Sequence, residues 1–117
     1  MTPFGARLRE IREARGITLK AMAAAIGVSP AYLSALEHGR RGRPTWDLLQ
    51  RIIGHLNIIW DEAEELERLA DLSHPRIVID TEGLSPKATE LANRLAERIG
   101  DLQDETLDRL IDLVGRR

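Results

Sequence analysis

No stretch of this 117-residue chain constrains its fold more than residues 18–39, TLKAMAAAIGVSPAYLSALEHG. It places a short amphipathic helix, a tight glycine turn and a second capped helix in immediate succession. Thr18 caps the first helix, and Leu19, Met22, Ala23 and Ile26 fall at the i, i+3, i+4 and i+7 positions of one buried face. Gly27 follows the last periodic residue, where a residue without a Cβ enters the left-handed region at no steric cost. The chain can therefore reverse within Gly27, Val28 and Ser29. Ser29 is a strong N-cap, and Pro30 suits the first helical position because the N–H it lacks would be unpaired there. Leu33 and Leu36 anchor the second helix, leaving Tyr32, Ser34 and Ala35 more outward.

Around this pair the same signals predict further helices. Residues 4–15 read as a helix with Leu8, Ile11 and Phe4 facing inward and Gly16 as its stop. Thr45 caps a fourth helix whose stripe is Trp46, Leu49, Ile52, Ile53 and Leu56, with Asn57 as its breaker. A fifth spans about residues 60–72, with Ala63, Leu66, Leu69 and Ala70 opposite an acidic face of Asp61, Glu62, Glu64, Glu65 and Glu67. Beyond Ser73 the pattern changes. His74-Pro75 interrupts it, and Arg76-Ile77-Val78-Ile79-Asp80 is a β-branched run flanked by breakers, read as a short strand that needs a partner. Ser85-Pro86 opens a helix to about Ile99 with Ala88, Leu91, Leu95 and Ile99 in line, and Gly100 ends it. A last helix over about residues 103–114 aligns Leu107, Leu110, Ile111 and Val114, and Gly115-Arg116-Arg117 is expected to fray. The expected fold class is mainly α: a five-helix domain over residues 1–73, then a dimerisation element over residues 74–117 made of a short strand and two helices.

The central segment resembles the Xre-like helix-turn-helix family, which includes the phage lambda Cro and repressor DNA-binding domains. The residues that carry the resemblance are Ala23, Gly27-Val28-Ser29, Leu33-Ser34 and Glu37-His38-Gly39, and the match runs from about Phe4 to Leu56. The resemblance implies a lambda-repressor-like domain that lays its second motif helix in the major groove of double-stranded DNA. It assigns base contacts to Pro30, Ala31, Tyr32, Ser34 and Ala35, and a structural pair to Arg12 and Glu37. Many members carry a Gln near the start of the first motif helix; Leu19 stands there and offers no such hydrogen bond. The base-facing set is short and apolar, without Arg, Gln or Asn for a bidentate contact. Ala31, Pro30 and Ala35 suit thymine methyls, Ser34 a base edge or its own helix, and Tyr32 a phosphate or the underside of the helix.

Charge is split along the chain. Through Leu56 there are nine Arg or Lys against four acids, a balance of +5, whereas the remainder balances at −7 with eight against fifteen. A basic half can face phosphate while an acidic half is turned away. Phosphate contacts are expected from Lys20, His38, Arg40, Arg41 and Arg43. Arg41-Gly42-Arg43-Pro44 also resembles the core of an AT-hook, whose two Arg side chains enter a narrow minor groove.

Other function classes find little support. The chain has no Cys, which removes disulfides and Cys-based zinc sites, and His38, His55 and His74 stand far apart outside any metal or nucleophile motif. No phosphate-binding glycine loop occurs. The expected protein is therefore not an enzyme and uses no cofactor or metal. Its N-terminus lacks an apolar signal core, and no apolar run approaches the roughly 20 residues that cross a bilayer, so a soluble cytoplasmic protein of bacterial or phage origin is expected. The sequence reading is a transcriptional regulator, expected to act as a repressor, binding an inverted-repeat operator as a homodimer through Ile77, Val78, Ile79, Leu91, Leu95, Leu107, Leu110 and Ile111. The alternative is an antitoxin-like or adaptor protein whose acidic C-terminal part binds a protein partner.

Overall fold

A computed structural model describes residues 1–115; Arg116 and Arg117, part of the tail expected to fray, lie outside them. The described chain is mainly helical and separates into two compact units, Met1–Ile77 and a second that begins at Val78.

Five helices build the first unit: α1 Pro3–Ala14, α2 Leu19–Ile26, α3 Pro30–Glu37, α4 Trp46–Leu56 and α5 Asp61–Asp71. Four of them open on a hydroxyl that accepts an otherwise unpaired backbone N–H. Thr2 Oγ1 accepts from Gly5, Thr18 Oγ1 from Ala21 and Ser29 Oγ from Tyr32, each at 3.0 Å, and Thr45 Oγ1 accepts from Leu48 at 3.2 Å. Gly27 closes α2 in the left-handed region at φ 77°, and Asn57 does the same for α4 at φ 53°. α1 packs on α3 and α5, and α2 on α3 and α4. Phe4, Leu8, Met22, Leu36, Ile52 and Leu66 meet in the shared core. Burying such side chains contributes about 1.5–3 kcal/mol each.

Two contacts set the position of α1. A Cβ on Gly5 would lie 2.4 Å from the Glu37 carbonyl oxygen and 2.6 Å from that of Leu36, so only a residue without a side chain lets α1 rest on the end of α3. The Phe4 N–H donates to the buried Ser73 Oγ at 2.9 Å, and that hydroxyl donates to the Leu69 carbonyl at 2.6 Å. The start of α1 is thus tied to the end of α5.

The second unit contains α6 Pro86–Arg98, a one-turn 3-10 helix Ile99–Asp101 and α7 Asp104–Val114. Ser85 caps α6 by accepting from Ala88 at 3.4 Å. Ion pairs one turn apart, Glu90 with Arg94 at 2.8 Å and Glu105 with Arg109 at 3.1 Å, support the polar faces. No described residue of this unit is buried.

Two expectations are corrected. Residues 76–80 form no strand; among the described residues no strand forms anywhere. β-branched residues favour a pleated surface only where a neighbouring strand takes their backbone bonds, and the described residues supply none. Ile77, Val78 and Ile79 are 68%, 94% and 57% exposed. Trp46 is the second correction: it stays 60% exposed, and Leu48 takes the buried place. A helix's first residue is flanked by helix on one side only, so periodicity overstates its burial.

Gly5→Ala should lower stability by about 1–3 kcal/mol, the cost of forcing atoms into a filled site, read as a lower urea midpoint with an unchanged slope.

Candidate nucleic-acid interface

α2 and α3 meet at 108° across the Gly27-Val28-Ser29 turn, within the range that defines a helix-turn-helix. The turn is braced from outside. Arg51 on α4 donates from Nη1 to the Ile26 carbonyl at 2.6 Å while its Nη2 pairs with Asp47 at 3.2 Å. A cation thereby caps the last turn of α2, where the helix dipole favours it. The Val28 N–H returns to the Ala23 carbonyl at 3.0 Å.

The inner side of α3 is fixed by Leu33, Leu36 and Glu37, all buried. Glu37 is the charged member of that row, and it is 1% exposed. Arg12 of α1 meets it with two parallel bonds, Nε to Oε2 at 2.8 Å and Nη2 to Oε1 at 3.0 Å, while Nη1 donates to the Ile17 carbonyl at 2.9 Å. Hydrogen bonding to Glu37 pushes Arg12 above its ordinary pKa, against the opposing effect of burial. The guanidinium is charged at any workable pH, so this clamp does not titrate away through Arg12.

The outer side of α3 carries the residues assigned to base contact. Pro30 and Ala31 are exposed; Tyr32, Ser34 and Ala35 are half-buried. Tyr32 packs against the core, and the Arg41 guanidinium lies over its ring at 5.6 Å from the centroid. That is cation–π distance. α3 ends in a Schellman arrangement: the Gly39 N–H reaches the Leu36 carbonyl at 3.4 Å and the Arg40 N–H reaches that of Ala35 at 2.9 Å. His38 Nδ1 lies 2.8 Å from the Ser34 carbonyl, a donor when it carries its proton.

The basic residues fall into two groups. Arg7, Arg9, Arg12, Arg43 and Arg51 each face a carboxylate, and Arg15 donates to the Leu56 carbonyl. Lys20 and Arg40 are exposed and make no ion pair among the described residues. Of the five residues assigned to phosphate, Lys20, His38, Arg40 and Arg41 lie at the surface without a carboxylate partner among the described residues, whereas Arg43 Nη2 sits 2.6 Å from Asp71. Pro44 is buried, and a Cβ on Gly42 would lie 2.8 Å from Pro75. Residues 41–44 are built into the domain, unlike the free extended segment an AT-hook presents. In the second unit, Leu91 and Ile111 are exposed and Leu95, Leu107 and Leu110 are half-exposed.

Helix-turn-helix domain is the description of the family model that matches residues 3–74. The chain belongs to that helix-turn-helix family. The Xre-like resemblance carried by residues 18–39 agrees with it. Among relatives, the chain is 36% identical over 61 residues both to the uncharacterized HTH-type transcriptional regulator RghRB and to the HTH-type transcriptional repressor RghR of Bacillus subtilis strain 168. Those matches take in 52% of this chain but only 44% and 45% of the two relatives, so less than half of either is represented. Among solved structures, the clp gene regulator ClgR of Corynebacterium glutamicum superposes with a TM-score of 0.52 at 26% identity, covering 98% of this chain and 93% of that one.

Sequence reasoning did not find Arg51, Ser73 or Asp71. The Asp47–Arg51 spacing was visible, but the reach of Arg51 to the end of α2 depends on how α4 packs. Ser73 and Asp71 act on residues 69 and 28 positions away, and no local pattern marks them.

Arg12→Ala should cost about 3–5 kcal/mol, because it leaves the Glu37 carboxylate buried and unpaired. Urea unfolding measures this. Arg12→Lys should recover only part of it, since an ammonium cannot make the two parallel bonds.

Proposed function

We propose that this chain is a sequence-specific, double-stranded DNA-binding transcriptional regulator that represses from an inverted-repeat operator as a homodimer. The observation that carries the reading is the outer face of α3, which is free of acids because Glu37 is turned inward, is set at 108° to α2, and is followed at once by the exposed Arg40 and Arg41, with Lys20 exposed on α2. Phosphate attracts such a face, and the major groove admits a helix. The helix-turn-helix family supports the reading, as do the descriptions of RghR as a repressor and ClgR as a regulator of clp genes.

In this reading Pro30, Ala31 and Ala35 touch apolar base edges such as thymine methyls, and Ser34 takes one hydrogen bond. Tyr32, half under the Arg41 guanidinium, serves as a platform that holds Arg41 toward phosphate. With no bidentate base reader on α3, affinity comes mainly from phosphate contacts by Lys20, His38, Arg40 and Arg41. Replacing Lys20, Arg40 and Arg41 together by Ala should weaken binding to all duplexes and reduce the log–log salt slope by about 0.9 for each phosphate no longer neutralised. Electrophoretic mobility shift at several salt concentrations tests it. An unchanged affinity on every duplex contradicts the DNA-binding reading. Ala31 or Ser34 substitutions should alter sequence preference more than slope.

The two-fold partner is assigned to the second unit, within the region 74–117 expected from the sequence to mediate dimerisation. Its helices expose Leu91, Ile99, Ile111, Leu113 and Val114, and none of its described residues is buried. Helices of this length are marginal in water without an apolar surface to cover. A second copy supplies one, through Leu91, Leu95, Leu107, Leu110 and Ile111, with the apolar side chains of Ile77, Val78 and Ile79 alongside. The same faces, with the −7 balance beyond Leu56, favour a second reading in which a basic protein partner covers them. Light scattering separates the two. A particle of twice the 13.1 kDa chain mass, reduced to one by Leu91→Asp with Leu107→Asp, supports the homodimer; a monomer at all concentrations supports the separate partner.

A further inference from the structure

We propose that Asp71 competes with DNA phosphate for Arg43, withholding one cation from the duplex and so limiting sequence-independent affinity; this rests on the DNA-binding reading above. Arg43 lies in the loop between α3 and α4, next to Arg40 and Arg41, and its Nη2 is 2.6 Å from Asp71 Oδ1. The acceptor is well placed to hold it. Asp71 is the last residue of α5, where the helix dipole already concentrates negative charge, so a carboxylate there gains from a cation that neutralises both. It also sits on a fixed support. Two residues on, the Ser73 hydroxyl is held between the Phe4 N–H at 2.9 Å and the Leu69 carbonyl at 2.6 Å, and Pro75 abuts Gly42 beside Arg43.

The two side chains are 39% and 62% exposed, so Arg43 lies at the surface and is free to turn to a phosphate once the Asp71 carboxylate no longer holds it. Asp71 thus acts twice against loose binding: it occupies Arg43, and it keeps a negative charge beside the phosphate-facing loop. Lys20 and Arg40, without a carboxylate among the described residues, carry no such restraint.

The test uses the full chain and a duplex of arbitrary sequence, titrated by fluorescence anisotropy from about 50 to about 200 mM salt. Asp71→Asn should bind more tightly than the parent, with a log–log salt slope steeper by about 0.9, so its advantage shrinks about 3.5-fold across that range. Asp71→Ala should do the same, which separates the effect from any peculiarity of the amide. Arg43→Ala should leave the parent slope nearly unchanged yet cancel the gain in the Asp71→Asn background. Glu62→Gln, the same charge change at the other end of α5, should leave the slope where it was. Equal slopes for the parent and both Asp71 variants overturn the inference while leaving the DNA-binding reading intact. So does a parent slope that falls by about 0.9 on Arg43→Ala, since Arg43 would then already engage phosphate. Absence of binding by the parent to any duplex overturns the DNA-binding reading and the inference together.

Discussion

The first unit depends on a charge that its core cannot leave alone. Glu37 is 1% exposed, and a bare carboxylate at that depth would oppose folding by several kcal/mol. The Arg12 guanidinium matches both of its oxygens and gives a third N–H to the Ile17 carbonyl. One side chain from α1 therefore fixes the end of α3 and the start of the chain leading to α2. Because the acid is turned inward, the outer face of α3 is left without negative charge. The pair thus shapes the surface electrostatics without appearing on the surface.

Around this clamp the helices pack on a shared core, and specific hydrogen bonds close their ends. Thr2, Thr18, Ser29 and Thr45 satisfy the opening N–H groups; Arg51 serves the closing carbonyl of α2, and Ser73 links α5 back to α1. The elements are short, eight to twelve residues, so end effects weigh heavily against the few turns each can bury. The second unit is built on the opposite principle. Ser85 caps α6 and both α6 and α7 carry ion pairs one turn apart, yet their apolar faces remain uncovered in a single chain.

What could be read from the sequence was what local chemistry decides. Hydroxyl caps at Thr18, Ser29, Thr45 and Ser85, a left-handed Gly27, a breaking Asn57 and the 3.6-residue apolar period all act within a few residues, and each helix they predict is present. The strand over residues 76–80 failed for the complementary reason: a strand is a property of two segments, and one segment's composition cannot supply the other. Trp46 failed because periodicity describes the middle of a helix better than its first residue. The residues assigned to DNA came from the family pattern, and their surroundings lay beyond it. Nothing near Arg43 in sequence announces Asp71, and nothing near Phe4 announces Ser73, because both meetings are made by the packing of α5.

The seat of Gly5 on the carbonyls of Leu36 and Glu37 has a mechanical consequence. With backbone against backbone, the first and third helices have no side chain between them at this point that could change rotamer and take up slack. A push on Ala31 or Ser34 is passed on to the whole five-helix body. Conformational adaptation to any bound surface must then come from the flexible tips of long side chains, or from the surface itself.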